Sequence, residues 1–126
     1  MNKTFIESAQ FTEWFKKYLE DDQLAAIQHE LLVNPARGDV IPGCGGLRKL
    51  RIANSKRGKG KRSGCRVIYL HVAEVDVIYL LDIYGKDEQD DLSAAQKKKL
   101  KELADAYKVA AILAAKHSRK DYHEFN

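Results

Sequence analysis

Residues 66–84 read RVIYLHVAEVDVIYLLDIY, two runs of β-branched, aliphatic and aromatic residues broken by a short polar turn. Arg66 to Val72 and Val75 to Tyr84 are rich in the residue types that fit a pleated, buried surface. Ala73–Glu74 between them is short enough to reverse the chain. The stretch predicts an antiparallel pair of strands, and the second run is the most strand-like in the chain. Strict alternation would put Tyr79, Leu81 and Ile83 on the face toward the helices, with Asp82 and Tyr84 on the other.

Upstream, Leu47 to Ala53 also alternates. Leu50 and Ile52 fall on one face and Lys49 and Arg51 on the other. Before it, PARGDVIPGCGG (residues 35–46) holds two prolines and four glycines and reads as a loop. Two helices precede the loop. Phe11, Trp14, Phe15, Tyr18 and Leu19 recur at helical spacing after Ser8, a good N-cap, and this aromatic stripe reads as core. Asp21 or Asp22 caps the second helix, whose stripe is Leu24, Ile27, Leu31 and Leu32. It stops at Asn34–Pro35, because a residue before proline is pushed out of the α region. Lys3 to Glu7 supplies a short first strand.

Downstream, Gly85 ends the strand and KDEQDDL is a polar link. Ser93 with Gln96 forms a capping box for a long helix carrying Leu100, Leu103, Tyr107, Ala111 and Leu113. The order is β-α-α-β-β-β-α, an α+β fold: a small, mainly antiparallel sheet with a helical hairpin on one face and a C-terminal helix. Residues 1–116 read as a single domain and 117–126 as a polar tail.

Composition narrows the function. The 126 residues are 44% apolar and 32% charged, as in a soluble globular domain. No apolar stretch approaches the ~20 residues that span a bilayer, and MNKTFIESAQ lacks a signal-peptide core. Together with the two cysteines, Cys44 and Cys65, these features point to the cytoplasm. The net charge of +4 conceals a segregation: residues 47–66 carry nine Lys or Arg and no acid, so the remainder sums to −5. A cationic patch on an acidic body suits a phosphate backbone, although a solvated basic loop has the same composition. Tyr84 and Tyr69 offer stacking surface beside it.

Other chemistries fit less well. His29, His71, His117 and His123 show no zinc spacing, and Cys44 and Cys65 have no CxxC partner. Gly43-Cys44-Gly45-Gly46 precedes a strand, not a helix, and so lacks the setting of a phosphate-binding loop. Neither a metal nor a cofactor is expected.

Three phrases carry a family resemblance: GDVIPGCGGLRKLRIA, GCRVIYL and YLLDIYGKDEQDDLSAAQ. In this order the chain resembles the RelE superfamily of type II toxin–antitoxin systems, and most of all its HigB-like branch, over about residues 3–112. The resemblance implies a cytoplasmic toxin that cleaves messenger RNA on the translating ribosome without a metal. It implies 2′-hydroxyl attack on the adjacent phosphate, leaving a 2′,3′-cyclic phosphate and a 5′-hydroxyl. The implied partners are the ribosome, messenger RNA and a cognate antitoxin, often one with a helix-turn-helix domain.

That chemistry needs a proton acceptor, cations for the phosphorane charge and an acid for the 5′-oxygen. By resemblance Arg51 and Arg66 take the scissile phosphate, Lys49 accepts the proton, and Lys86 is a second charge stabiliser or acid. Arg48, Lys56, Arg57, Lys59, Lys61 and Arg62 grip RNA. Well-characterised members carry an arginine where this chain has Asp87, and a tyrosine near its Ser93, for which Tyr84 is the nearest aromatic substitute. The alternatives are a non-catalytic RNA- or ribosome-binding module on the same fold, and a domain whose basic loop serves only an acidic protein.

Overall fold

The computed structural model describes residues 3–53, 64–89 and 91–124. The two apolar runs of residues 66–84 form most of β4 (Cys65–Val72) and β5 (Val77–Gly85), paired antiparallel at the middle of the sheet. The reversal is a 3-10 turn, Ala73–Val75, closed by Asp76 in the left-handed region at φ 51°. On one side of the pair lies β3 (Arg48–Ile52), followed at the edge by β2 (Asp39–Val40). On the other lies β1 (Thr4–Glu7), parallel to β5. The five strands run β1-β5-β4-β3-β2. β2 is an addition to the expected order: it lies in the Pro/Gly loop, and its two residues pair with Lys49 and Arg48.

Helices cover both faces. On one face are α1 (Ala9–Trp14), a 3-10 turn (Phe15–Lys17) and α2 (Asp21–Val33). Their Phe11, Phe15, Leu19, Ile27 and Leu31 pack on Leu50, Cys65, Val67, Tyr69, Ile78, Leu80 and Ile83. On the other face α3 (Ala94–Glu124) lays Leu100, Ala104 and Ala111 on Leu47, Ile68, Leu70, Tyr79 and Leu81. α3 continues past residue 116, through most of the segment read as a tail.

The helix boundaries follow local hydrogen bonding. The Ser8 hydroxyl accepts from Phe11 N at 3.0 Å. Ser93 and Gln96 exchange the two bonds of the expected capping box at 2.8 and 3.1 Å. α2 starts earlier than expected: Glu20, not Asp21 or Asp22, is its cap, and the Glu20 amide donates to the Gln23 side chain at 2.8 Å. Asn34 ends it, as the following proline requires. Trp14 departs from the expected core stripe and is 46% exposed. Among the described residues no helix is long and apolar enough to cross a membrane.

The departure with most consequence is a bulge. Ile68 pairs with Asp82 but Tyr69 pairs with Leu80, which leaves Leu81 as an extra residue on β5. The phase of the strand reverses there. Tyr79 and Leu81 therefore face α3 while Ile83 faces α1 and α2, so the three do not share the face that strict alternation gives them. Tyr84 is carried to the α3 face, the same side as Tyr79.

Candidate active site

Burial on the α1/α2 face fixes the register of β3 against β4. Leu50 sits opposite Val67 and Ile52 opposite Cys65, all in one core. A one-residue slip would drive Arg51 and Arg66 into that core, so the apolar pairs dictate where the cations stand. Arg51 is directly opposite Arg66, and Arg66 is in turn opposite Tyr84. The bulge gives Tyr84 the same face as Arg66, and the result is a row of Arg51, Arg66 and Tyr84 across three strands. Lys49 lies two residues from Arg51 along β3, on the same side.

The cations differ in their partners. Arg51 is bound to Asp39 of β2 at 2.6 Å, an exposed pair. The Lys49 side chain is only 15% exposed, and its ammonium lies 3.6 Å from Asp91. Asp91 precedes α3 and also reaches Lys97 at 3.8 Å. The Leu92 backbone N–H, and after it Lys49, hold the Asp91 carboxyl below the usual carboxylate range. Arg66 makes no ion pair among the described residues; its Nη1 donates to the Cys65 carbonyl at 3.3 Å.

Tyr84 is 6% exposed, and its buried hydroxyl has no hydrogen-bond partner among the described residues. Burial pushes that hydroxyl up, Asp91 adds to the rise, and Arg66 opposes it. The ring is therefore packed under the row and is not a stacking platform. Tyr69 is no platform either. It is wholly buried on the opposite face, accepting from Gly38 N at 2.9 Å and donating to Pro35 O at 2.7 Å. Its ring leaves no space beside Gly38, where a Cβ would meet Tyr69 Cε1 at 2.8 Å.

Lys86 is exposed in the turn after β5, and its amide donates to Gly64 O at 3.2 Å. This places it just beyond the Cys65–Gly85 pair, at the end of the sheet that carries Arg66 and Tyr84. Asp87 is exposed in the same turn, and Ser93 is occupied in capping α3. Arg48 stands apart from the row, on the other face. It donates to Gly38 O at 2.8 Å and Ala36 O at 3.3 Å, fastening the loop before β2. Lys56, Arg57, Lys59, Lys61 and Arg62 lie outside the described residues.

Asp39 and Asp91, the counter-ions of Arg51 and Lys49, are the site residues that the sequence reading missed. Asp39 lies in a stretch read as loop, and only its pairing opposite Lys49 brings it to Arg51. Asp91 is one of several acids in the polar link, and nothing local marks it. Asp82 makes no ion pair among the described residues; it accepts from Gln10 Nε2 at 2.9 Å and from Ile83 N at 2.8 Å.

A family model described as the RelE toxin of the RelE/RelB toxin–antitoxin system matches residues 3–120. The chain belongs to the RelE toxin family. Among solved structures, a mutant of the E. coli toxin RelE in the free state is similar to it over 71% of this chain and 90% of that one, at 20% identity and a TM-score of 0.49. Membership ties the chain to a toxin–antitoxin system, and the match includes every strand and most of α3.

Proposed function

We propose that this RelE-family chain is a toxin that cleaves messenger RNA on the translating ribosome, with no metal, in the cytoplasm. The observation that carries the reading is the row of Arg51 and Arg66 opposed across β3 and β4, with Arg66 lacking a carboxylate among the described residues. Directly opposed like charges cost stability; Asp39 offsets part of that cost at Arg51, and an anion between the two guanidiniums removes the rest. A phosphodiester is such an anion, and two guanidinium forks match its non-bridging oxygens.

In the proposed reaction Lys49 enters as the neutral amine: the ribose 2′-oxygen attacks the adjacent phosphorus and its proton passes to the Lys49 nitrogen. Arg51 and Arg66 hold the charge that builds on the phosphorane oxygens. The P–O5′ bond breaks and the 5′-oxygen takes a proton from Lys86. The products are a 2′,3′-cyclic phosphate and a 5′-hydroxyl. Tyr84 is assigned to support beneath Arg66, since its ring is buried. Arg48 is assigned to holding the β2 edge. The three sequence phrases also support a place in the HigB-like branch, and with it an antitoxin bearing a helix-turn-helix domain.

Expression of the chain alone should arrest growth, and Arg51→Ala with Arg66→Ala should relieve the arrest. Full toxicity of the double variant, with an unchanged circular dichroism spectrum, contradicts the assignment. Asp87, in place of the arginine of well-characterised members, favours a second reading: a module that binds the ribosome and blocks it without cutting. Stalled but intact messages would support that reading.

A further inference from the structure

A second polar groove borders the row on its other side. β1 pairs only with residues 77–80 of β5, so the outer edge of β5 from Leu81 onward is left to side chains and to α1. The bulge projects Asp82 there. A cavity of about 280 Å³ opens between α1, the end of β5 and the start of α3, and Trp14, Gln10, Asp82, Tyr84 and Gln96 are among its walls. Tyr84 thus belongs both to the cation row and to the groove, and Arg66 is one strand spacing away, about 4.8 Å.

The lining has three parts that suit a nucleobase. Trp14 presents a large, partly exposed aromatic surface that the core does not use. The Lys17 ammonium lies 5.6 Å from the Trp14 ring centre at the rim, where it pairs with Glu88 of the same lining at 3.5 Å. Asp82 is half-buried, and both of its described hydrogen bonds fall on Oδ1, leaving Oδ2 without one among the described residues. Burial pushes this carboxyl up, the mark of a charge held out of water.

We propose that the groove holds a guanine base of the RNA substrate, stacked on Trp14 and read on its Watson–Crick edge by Asp82 with Gln10. The proposal rests on the endoribonuclease reading and names the base specificity of that site. A carboxylate only accepts hydrogen bonds, and guanine alone presents two adjacent donors on that edge, N1–H and N2–H. Adenine and cytosine set a ring-nitrogen acceptor beside their single amino donor, and uracil flanks one N–H with two carbonyls. The side-chain amides of Gln10 and Gln96 supply donors for guanine O6. Aromatic stacking gives the affinity and the carboxylate the choice of base.

Trp14 is the only tryptophan in the chain, so its fluorescence reports the groove without ribosomes or cleavage. Titrating the intact protein with GMP, AMP, CMP and UMP should quench it, with GMP binding at least about tenfold tighter, a difference of ~1.4 kcal/mol. Asp82→Asn should remove that preference while the protein stays folded. Equal binding of the four nucleotides, no quenching, or a preference that survives Asp82→Asn overturns the assignment. Cleavage of translated messages is scored separately. A chain that prefers GMP but cuts no message refutes the nuclease reading and leaves the groove standing. One that cuts messages without any base preference refutes the groove alone.

Discussion

Arg66→Met tests the anion-site reading through stability as well as activity. The substitution removes a cation directly opposite Arg51 and keeps an unbranched apolar stem of similar length over Tyr84. Arg66 gives up no ion pair among the described residues and one 3.3 Å hydrogen bond to a neighbouring carbonyl. A directly opposed pair on adjacent strands is worth roughly 0.2–1 kcal/mol, unfavourable for like charges. Asp39 already offsets part of the Arg51 charge, so Arg66→Met should raise the unfolding free energy by no more than about 1 kcal/mol at low salt. Urea titrations measure it, and the gain should shrink as the Debye length falls from ~30 Å at 0.01 M to ~3 Å at 1 M salt. Cleavage by the same variant should fall by about 10²–10³, the usual loss when one charge-stabilising donor goes. A stability loss of more than about 1 kcal/mol at low salt would make Arg66 a structural residue and not one half of an anion site. Unchanged cleavage would equally remove Arg66 from the anion site.

Four further outcomes follow. Burial raises the Asp82 carboxyl, so its contribution to stability is full below the unfolded carboxylate value and is lost as pH rises through the folded one. Asp82→Asn, which keeps the acceptor for Ile83 N, should gain stability over wild type as pH climbs through that range; denaturation midpoints at several pH values check this, and a constant difference contradicts it. Asp91→Asn should free Lys49 and strengthen binding to a polyanion such as heparin, with the salt slope steeper by about one ion; an unchanged slope contradicts the pairing. Tyr69→Phe strips the buried Gly38 amide of its partner and should cost about 1–3 kcal/mol in urea unfolding, against near zero if the hydroxyl is idle. Burial pushes the Cys65 thiol up to about 12, and Cys44 is buried too, so Ellman's reagent should find both thiols only after denaturation. Rapid reaction of the native protein would show an open core.

The parts of the fold legible in the sequence are those set by local chemistry. The β4–β5 pair is announced by its residue types, and the Ser8 and Ser93–Gln96 caps by bonds that span three residues. The Asn34–Pro35 stop is a steric rule acting on neighbours. The features that escaped are set by residues far apart in the chain. The Leu81 bulge follows from how β5 registers on β4, and strict alternation cannot show where one extra residue will be absorbed. Reversing the phase, it moved Tyr84 to the side of Arg66.

The cations of the candidate site were legible as a charge run, and alternation gave Lys49 and Arg51 their common face. Their counter-ions were not. Asp39 and Asp91 meet Arg51 and Lys49 only through the β2 pairing and the approach of α3. Trp14 was misplaced for a related reason: its period fits the buried stripe, but α1 passes into a 3-10 turn at Phe15 and leaves the ring at the rim of the groove.

Whether the Arg51–Arg66 row cuts RNA is decided by primer extension on a translated message, together with chemical identification of the new ends. The expected result is discrete breaks within translated reading frames, each leaving a 2′,3′-cyclic phosphate and a 5′-hydroxyl, and none when Arg51 and Arg66 are both alanine. Intact messages under stalled ribosomes, or breaks that persist in the folded double variant, would contradict it.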